Sequence, residues 1–188
     1  MDLQKCIFQN TFFVKENLPT TLQESANFLV ADHEKRPVGG SWKVDSFINT
    51  CATIERYTQG KWEQCPPIGE KSNYKWEPQY PALHFTPQCG YVALDVDHCF
   101  DSSGQPIPEA QSLLTLLQEC STYIERSLSG TGLHVLFKDA HWPATIGGQQ
   151  FKKSPKFYGA DGKGLGFRCD FFGIASREYI VLTGKCLS

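Results

Sequence analysis

The sequence predicts an α+β fold, and two observations carry that prediction. Short apolar runs bounded by Gly, Pro and Asp recur at residues 27–31, 82–85, 90–96, 123–127, 133–137, 167–172 and 179–182, and read as strands that look antiparallel. One other segment, 44–57 (Val44, Phe47, Ile48, Cys51, Ile54), spaces its apolar residues as a helix does, and a second helix is expected from Pro108 through Cys120. Helices mixed with antiparallel strands define α+β.

Taken in order, Thr20 or Thr21 is positioned to cap a short helix through Ala26. Residues 34–42 form a basic, turn-rich loop, and 58–81 are rich in Pro, Gly, Lys and Glu and read as surface loop. Pro108 suits the first turn of a helix running through Cys120. Residues 133–137 follow 123–127 across a glycine turn. Residues 147–166 are loop-like and carry Lys152, Lys153, Lys156 and Lys163, and 167–172 and 179–182 read as a closing pair of strands.

A chain of 188 residues is long enough to bury a core and is expected to form one domain. With 40% hydrophobic and 20% charged residues it has a globular composition, and its net charge of −2 confines any nucleic-acid-binding surface to a local basic patch. No apolar run approaches the roughly 20 residues of a membrane span, and the start of the chain lacks a signal-peptide layout. No membrane association and a cytoplasmic location are therefore expected. None of the eight cysteines forms a C-x-x-C pair, which disfavours a zinc ribbon or finger and predicts free thiols in a reducing compartment.

The chemistry concentrates in residues 91–97, Tyr-Val-Ala-Leu-Asp-Val-Asp. On a strand, Asp95 and Asp97 share a face, roughly 6–7 Å apart along the chain. Carboxylates fixed side by side at the end of an apolar strand repel, and a hard divalent cation such as Mg2+ or Mn2+ relieves that repulsion. A lone D-x-D also serves as a turn or cap, so this motif alone does not define a site. Residues 127–134, Ser-Leu-Ser-Gly-Thr-Gly-Leu-His, form a tight small-residue turn. Its backbone N–H groups can approach an anion, with Ser129 and Thr131 hydroxyls beside them and His134 at the start of the next strand. Residues 168–172, Arg-Cys-Asp-Phe-Phe, set a third carboxylate, Asp170, within another apolar strand.

In order and spacing these segments resemble the archaeo-eukaryotic primase superfamily, and in particular the primase-polymerase domains of phages, plasmids and mobile elements. Residues 94–99 (Leu-Asp-Val-Asp-His-Cys) are similar to that group's first motif, and 123–134 follow its second almost position by position. Asp170 falls where a third acid belongs, Arg177 precedes the last strand as an arginine does in many members, and Lys35-Arg36-Pro37 with Trp42 is similar to its N-terminal loop. The resemblance spans roughly residues 27–184. Leu128 replaces a frequent proline, and Asp170 a frequent glutamate.

The resemblance implies an RRM-like antiparallel sheet at about residues 86–188 and a smaller N-terminal α/β unit at about 1–85 across a cleft. Together they would be one catalytic domain excised from a longer protein. It implies template-directed nucleotidyl transfer, as a primase or DNA polymerase in replication of a phage or mobile element, by two-metal chemistry with Mg2+ or Mn2+. Asp95, Asp97 and Asp170 would hold metal. Ser129, Gly130, Thr131, Gly132 and His134 would surround the nucleoside triphosphate, and Arg177 or Arg168 would neutralise charge on the pyrophosphate. Lys152, Lys153, Lys156 and Lys163 would follow a single-stranded or primed DNA template, although plain solvation also explains each of them. A helicase domain or partner is expected C-terminal to this segment. The rival reading is a non-catalytic nucleic-acid-binding module that keeps the fold. A rolling-circle nuclease ranks lower, because His84, His98, His134 and His141 stand apart and form no His-x-His pair.

Overall fold

The computed structural model describes residues 14–24, 28–31, 34–35, 80–86, 88–120, 122–140, 142, 145–146, 149–150, 154, 156–158, 161–173, 176 and 178–187. Among the described residues, nine strands pair into antiparallel sheets with few helices between them, so the α+β expectation holds. The chain divides into two compact units, Met1–Cys89 with Ile174–Lys185, and Gly90–Gly173 with Cys186–Ser188. The expected helix at 44–57 and most of the expected loop at 58–81 lie outside the described residues, as do Arg36, Pro37 and Trp42.

The first unit opens with a 3-10 turn at Lys15–Asn17 and a one-turn helix, α1, at Thr20–Gln23. The cap of α1 is Pro19, not a threonine: Pro19 holds the extended geometry that precedes a helix (φ −53, ψ 138), so Thr20 is already helical. Strands β1 (Phe28–Ala31), β2 (Tyr80–His84) and β9 (Tyr179–Val181) form a three-stranded sheet in the order β1-β2-β9. Strand β2 begins at Tyr80, two residues earlier than the sequence pattern suggested. Tyr80 and Pro81 pair with Ala31 and Val30 on β1, and all five residues of β2 are buried.

The second unit holds the remaining strands. Strands β3 (Tyr91–Asp97), β4 (Tyr123–Arg126), β5 (Leu133–Lys138) and β8 (Arg168–Phe172) form a four-stranded sheet in the order β4-β5-β3-β8. A short strand, β6 (Thr145–Ile146), pairs antiparallel with β7 (Gln149–Gln150), and β7 falls within the stretch 147–166 expected to be loop. The last two apolar strands do not pair with each other as expected: β8 pairs with β3, and β9 pairs with β2 in the other sheet. Apolar pattern marks a strand but not its partner.

One helix covers the apolar face of the four-stranded sheet. Pro108 starts a 3-10 turn through Ala110 that runs into α2 (Gln111–Glu119). Ala110, Leu114 and Leu117 pack with Leu94, Val96, Leu133, Val135 and Cys169. These sheet residues alternate along their strands with Asp95, His134 and Asp170, which therefore take the opposite face. Burial pushes the Cys99 and Cys169 thiols up to about 12, and the nearby aspartates add to the effect. Cys89, Cys99, Cys120, Cys169 and Cys186 carry thiols outside any disulfide.

The α2 packing makes a direct test. Leu117 is 5% exposed and Leu116, its neighbour in sequence, is 58% exposed. Leu117→Ala is expected to cost about 2–5 kcal/mol in denaturant unfolding, and Leu116→Ala to change stability by less than about 0.5 kcal/mol. Equal effects would place α2 in a different rotation on the sheet.

Candidate active site

The register of the four-stranded sheet aligns polar residues across all its strands. Glu125 on β4 is opposite His134 on β5, His134 is opposite Asp95 on β3, and Asp95 is opposite Asp170 on β8. Directly paired residues point to the same face, with Cβ atoms about 4.5–5.5 Å apart. The four side chains thus form one row. Asp97, two residues beyond Asp95, begins the next row and is opposite Arg168. On the other side of the row stand Tyr123, Leu136, Ala93 and Phe172. The polar row therefore borders an apolar one.

Burial divides the acids and the imidazole into an enclosed end and a more open one. Glu125 is fully buried and the His134 side chain is 4% exposed, whereas Asp170, Asp95 and Asp97 rise to 17%, 21% and 33%. Each buried polar group needs a partner. The Tyr123 hydroxyl donates to Glu125 Oε2 at 2.7 Å, and Glu125 Oε1 lies 2.9 Å from His134 Nδ1. His134 Nε2 faces Asp95 Oδ1 at 3.8 Å. Burial, and then the charge of Glu125, pushes the Tyr123 hydroxyl pKa well up.

At the β8 end Arg168 supplies the positive charge. Its guanidinium donates to Asp97 Oδ2 at 2.7 Å and lies 3.2 Å from Asp170 Oδ2. The resemblance offered Arg177 or Arg168 for the pyrophosphate; in this structure Arg168 bridges two of the three expected metal carboxylates. Among the described residues, no three carboxylate, imidazole or thiol groups are drawn together closely enough to hold a metal ion as they stand. The donor set still suits a hard cation. Asp170 Oδ1 is buried and has no hydrogen-bond partner among the described residues.

The Ser127–Gly132 turn between β4 and β5 is more closed than its sequence suggested. The N–H groups of Gly130, Gly132 and Thr131 donate to Ser127 O, Ser127 Oγ and Ser129 Oγ. Gly130 has φ +77, which favours glycine. Gly132 is required for space, since a Cβ there would sit 2.6 Å from Val96 O and 3.4 Å from Asp97 Cα. The turn thus packs directly against the strand end that carries Asp97. The Ser129 and Thr131 hydroxyls are linked at 3.1 Å, and Ser129 is exposed.

Among the expected template-binding lysines, Lys156 and Lys163 are exposed, and Lys163 lies 3.6 Å from Asp161. Lys152, Lys153 and Arg177 lie outside the described residues. Glu125 and Tyr123 were missed as site residues. Their signal was available: counting outward from the Ser127–Gly132 turn pairs Arg126 with Leu133 and then Glu125 with His134, because a hairpin turn sets the register. No protein-family model and no curated protein matches the chain.

Crowded acids predict a measurable response to metal. With a dissociation constant of ~1 mM and ~10 mM Mg2+ or Mn2+, linkage stabilises the fold by about 1.4 kcal/mol, a melting shift of roughly 3–6 °C for a chain of this size. Differential scanning fluorimetry should show the shift lost in the Asp95→Ala/Asp97→Ala double variant. It should be larger in Arg168→Ala, where metal no longer competes with the guanidinium. An equal shift in the wild type and the double variant would place the metal elsewhere.

Proposed function

We propose that the chain is a primase-polymerase catalytic domain that performs template-directed nucleotidyl transfer on nucleoside triphosphates. The observation that carries this reading is the cross-strand pairing of Asp95 with Asp170, with Asp97 two residues along on the same face. Three carboxylates on one face at the end of a sheet suit metal-assisted phosphate chemistry better than they suit a surface that binds phosphates by attraction. The strand order β4-β5-β3-β8, with α2 between β3 and β4, supports an RRM-like sheet. Such a sheet hosts many functions, so the weight falls on the acids.

In this reading Asp95, Asp97 and Asp170 hold Mg2+ or Mn2+, which supplies charge neutralisation at the attacking and leaving oxygens. Arg168 exchanges partners: its 62% exposed side chain releases the carboxylates and turns to the polyphosphate. His134 presents Nε2 to the triphosphate, and the Ser129 and Thr131 hydroxyls serve the same anion at the neighbouring turn. Arg177 adds charge at the pyrophosphate. Lys152, Lys153, Lys156 and Lys163 follow the backbone of a single-stranded or primed DNA template. The wider setting is replication of a phage or mobile element, with a helicase as a partner.

One observation favours a second reading, a nucleic-acid-binding module without catalysis: Arg168 already neutralises Asp97 and Asp170. A labelled-nucleotide incorporation assay on a primed template separates the two. Incorporation should require Mg2+ or Mn2+ and fall to background in Asp95→Ala and in Asp97→Ala, with Asp170→Ala also severely impaired. Near-normal incorporation by the folded double variant of Asp95 and Asp97 would falsify the metal assignment, and none by the wild type would favour the binding module.

Template affinity is the companion prediction. With a net charge of −2 and four lysines as phosphate contacts, binding of fluorescent single-stranded DNA should be micromolar or weaker at physiological salt. It should drop about 50-fold between 50 and 200 mM salt, from a slope of about −0.7 per contact. Nanomolar binding that ignores salt would indicate a site dominated by base stacking.

A further inference from the structure

Glu125 sits at the fully buried end of the polar row, a costly place for a carboxyl group unless its oxygens are engaged. Both are: the Tyr123 hydroxyl donates to Oε2, and His134 Nδ1 lies at hydrogen-bond distance from Oε1. Tyr123 and Glu125 share a face because they are two residues apart on β4, and Glu125 meets His134 because the β4–β5 register pairs them. The three groups are therefore held by backbone pairing as well as by their own hydrogen bonds.

The consequence falls on the ring. With Tyr123 donating to one oxygen, the other accepts the proton on Nδ1. An imidazole fixed through Nδ1–H turns Nε2 to the opposite side, here to 3.8 Å from Asp95 Oδ1. That separation is too long for a hydrogen bond, so the ring is aimed at the acids without being tied to them. A carboxylate behind a histidine sets both its tautomer and its orientation in this way.

We infer that Glu125 is a positioning residue: locked by Tyr123, it holds the His134 ring in the Nδ1–H form, so that Nε2 is the atom offered to the triphosphate. What Nε2 meets rests on the nucleotidyl-transfer reading; the fixed ring does not.

The test pairs a spectrum with kinetics. Long-range 1H–15N NMR of the wild type should show the His134 proton on Nδ1. Glu125→Met keeps the length of the side chain and removes both acceptors, and should lose that signature. The same variant should lower kcat/KM for the nucleotide about 10- to 100-fold, mainly through KM, while the metal-dependent melting shift survives. Glu125→Gln, which still offers an acceptor to Nδ1–H, should restore most of the loss. A wild-type spectrum with the proton on Nε2 and bare Nδ1 overturns the inference whether or not any variant folds. So does a folded Glu125→Met variant with an unchanged ring signature or unchanged KM. If the wild type incorporates no nucleotide, the nucleotidyl-transfer reading falls, and the spectrum alone upholds or overturns the positioning by Glu125.

Discussion

Each cross-strand neighbour of Asp95 carries a titratable group, and the site is organised around that crowding. His134 stands on one side and Asp170 on the other, with Asp97 two residues along. Carboxylates at these spacings disfavour one another's charge. The structure meets the problem differently at its two ends. At the buried end, Glu125 is engaged by a hydroxyl and an imidazole from adjacent positions on the sheet. At the open end, an arginine mostly in solvent spans Asp97 and Asp170. An enclosed arrangement at one end thus contrasts with a solvent-facing one at the other.

The sheet makes this arrangement rigid. Its other face is filled by Leu94, Val96, Leu133 and Val135 against α2. Because strand side chains alternate, that packing fixes which face Asp95 and His134 occupy. A one-residue slip of β5 along β3 would put His134 into the apolar core and Leu133 among the acids, so the core enforces the row. Gly132 adds a second restraint at the end of β3, where its lack of a side chain lets the turn lie against Val96 and Asp97.

Much of this was legible in the sequence. The apolar run ahead of Asp95 marked β3, and its period of two placed Asp95 and Asp97 on one face. Pro108 marked the start of the helical segment, and the glycine turn marked the hairpin. Partner choice was not legible: two strands close in sequence, β8 and β9, joined different sheets, because pairing depends on the whole arrangement rather than on local pattern. Glu125 escaped notice because a charged residue on a strand of mixed character reads as solvent-facing until the register pairs it with a buried histidine. Arg168 was recognised as a charge for the site, but its partners in this structure, Asp97 and Asp170, are visible only once β3 and β8 are aligned.

We propose that Asp95, Asp97 and Asp170 form one cation site, whose place the Arg168 guanidinium takes in this structure. Anomalous diffraction from crystals grown with Mn2+ and a non-hydrolysable nucleoside triphosphate tests it most directly. A manganese peak coordinated by oxygens of these three aspartates, with the Arg168 guanidinium displaced from Asp97 and Asp170, is the predicted result. A map with no manganese at the aspartates and the Arg168 bridge intact, in crystals where the nucleotide is bound, would contradict it.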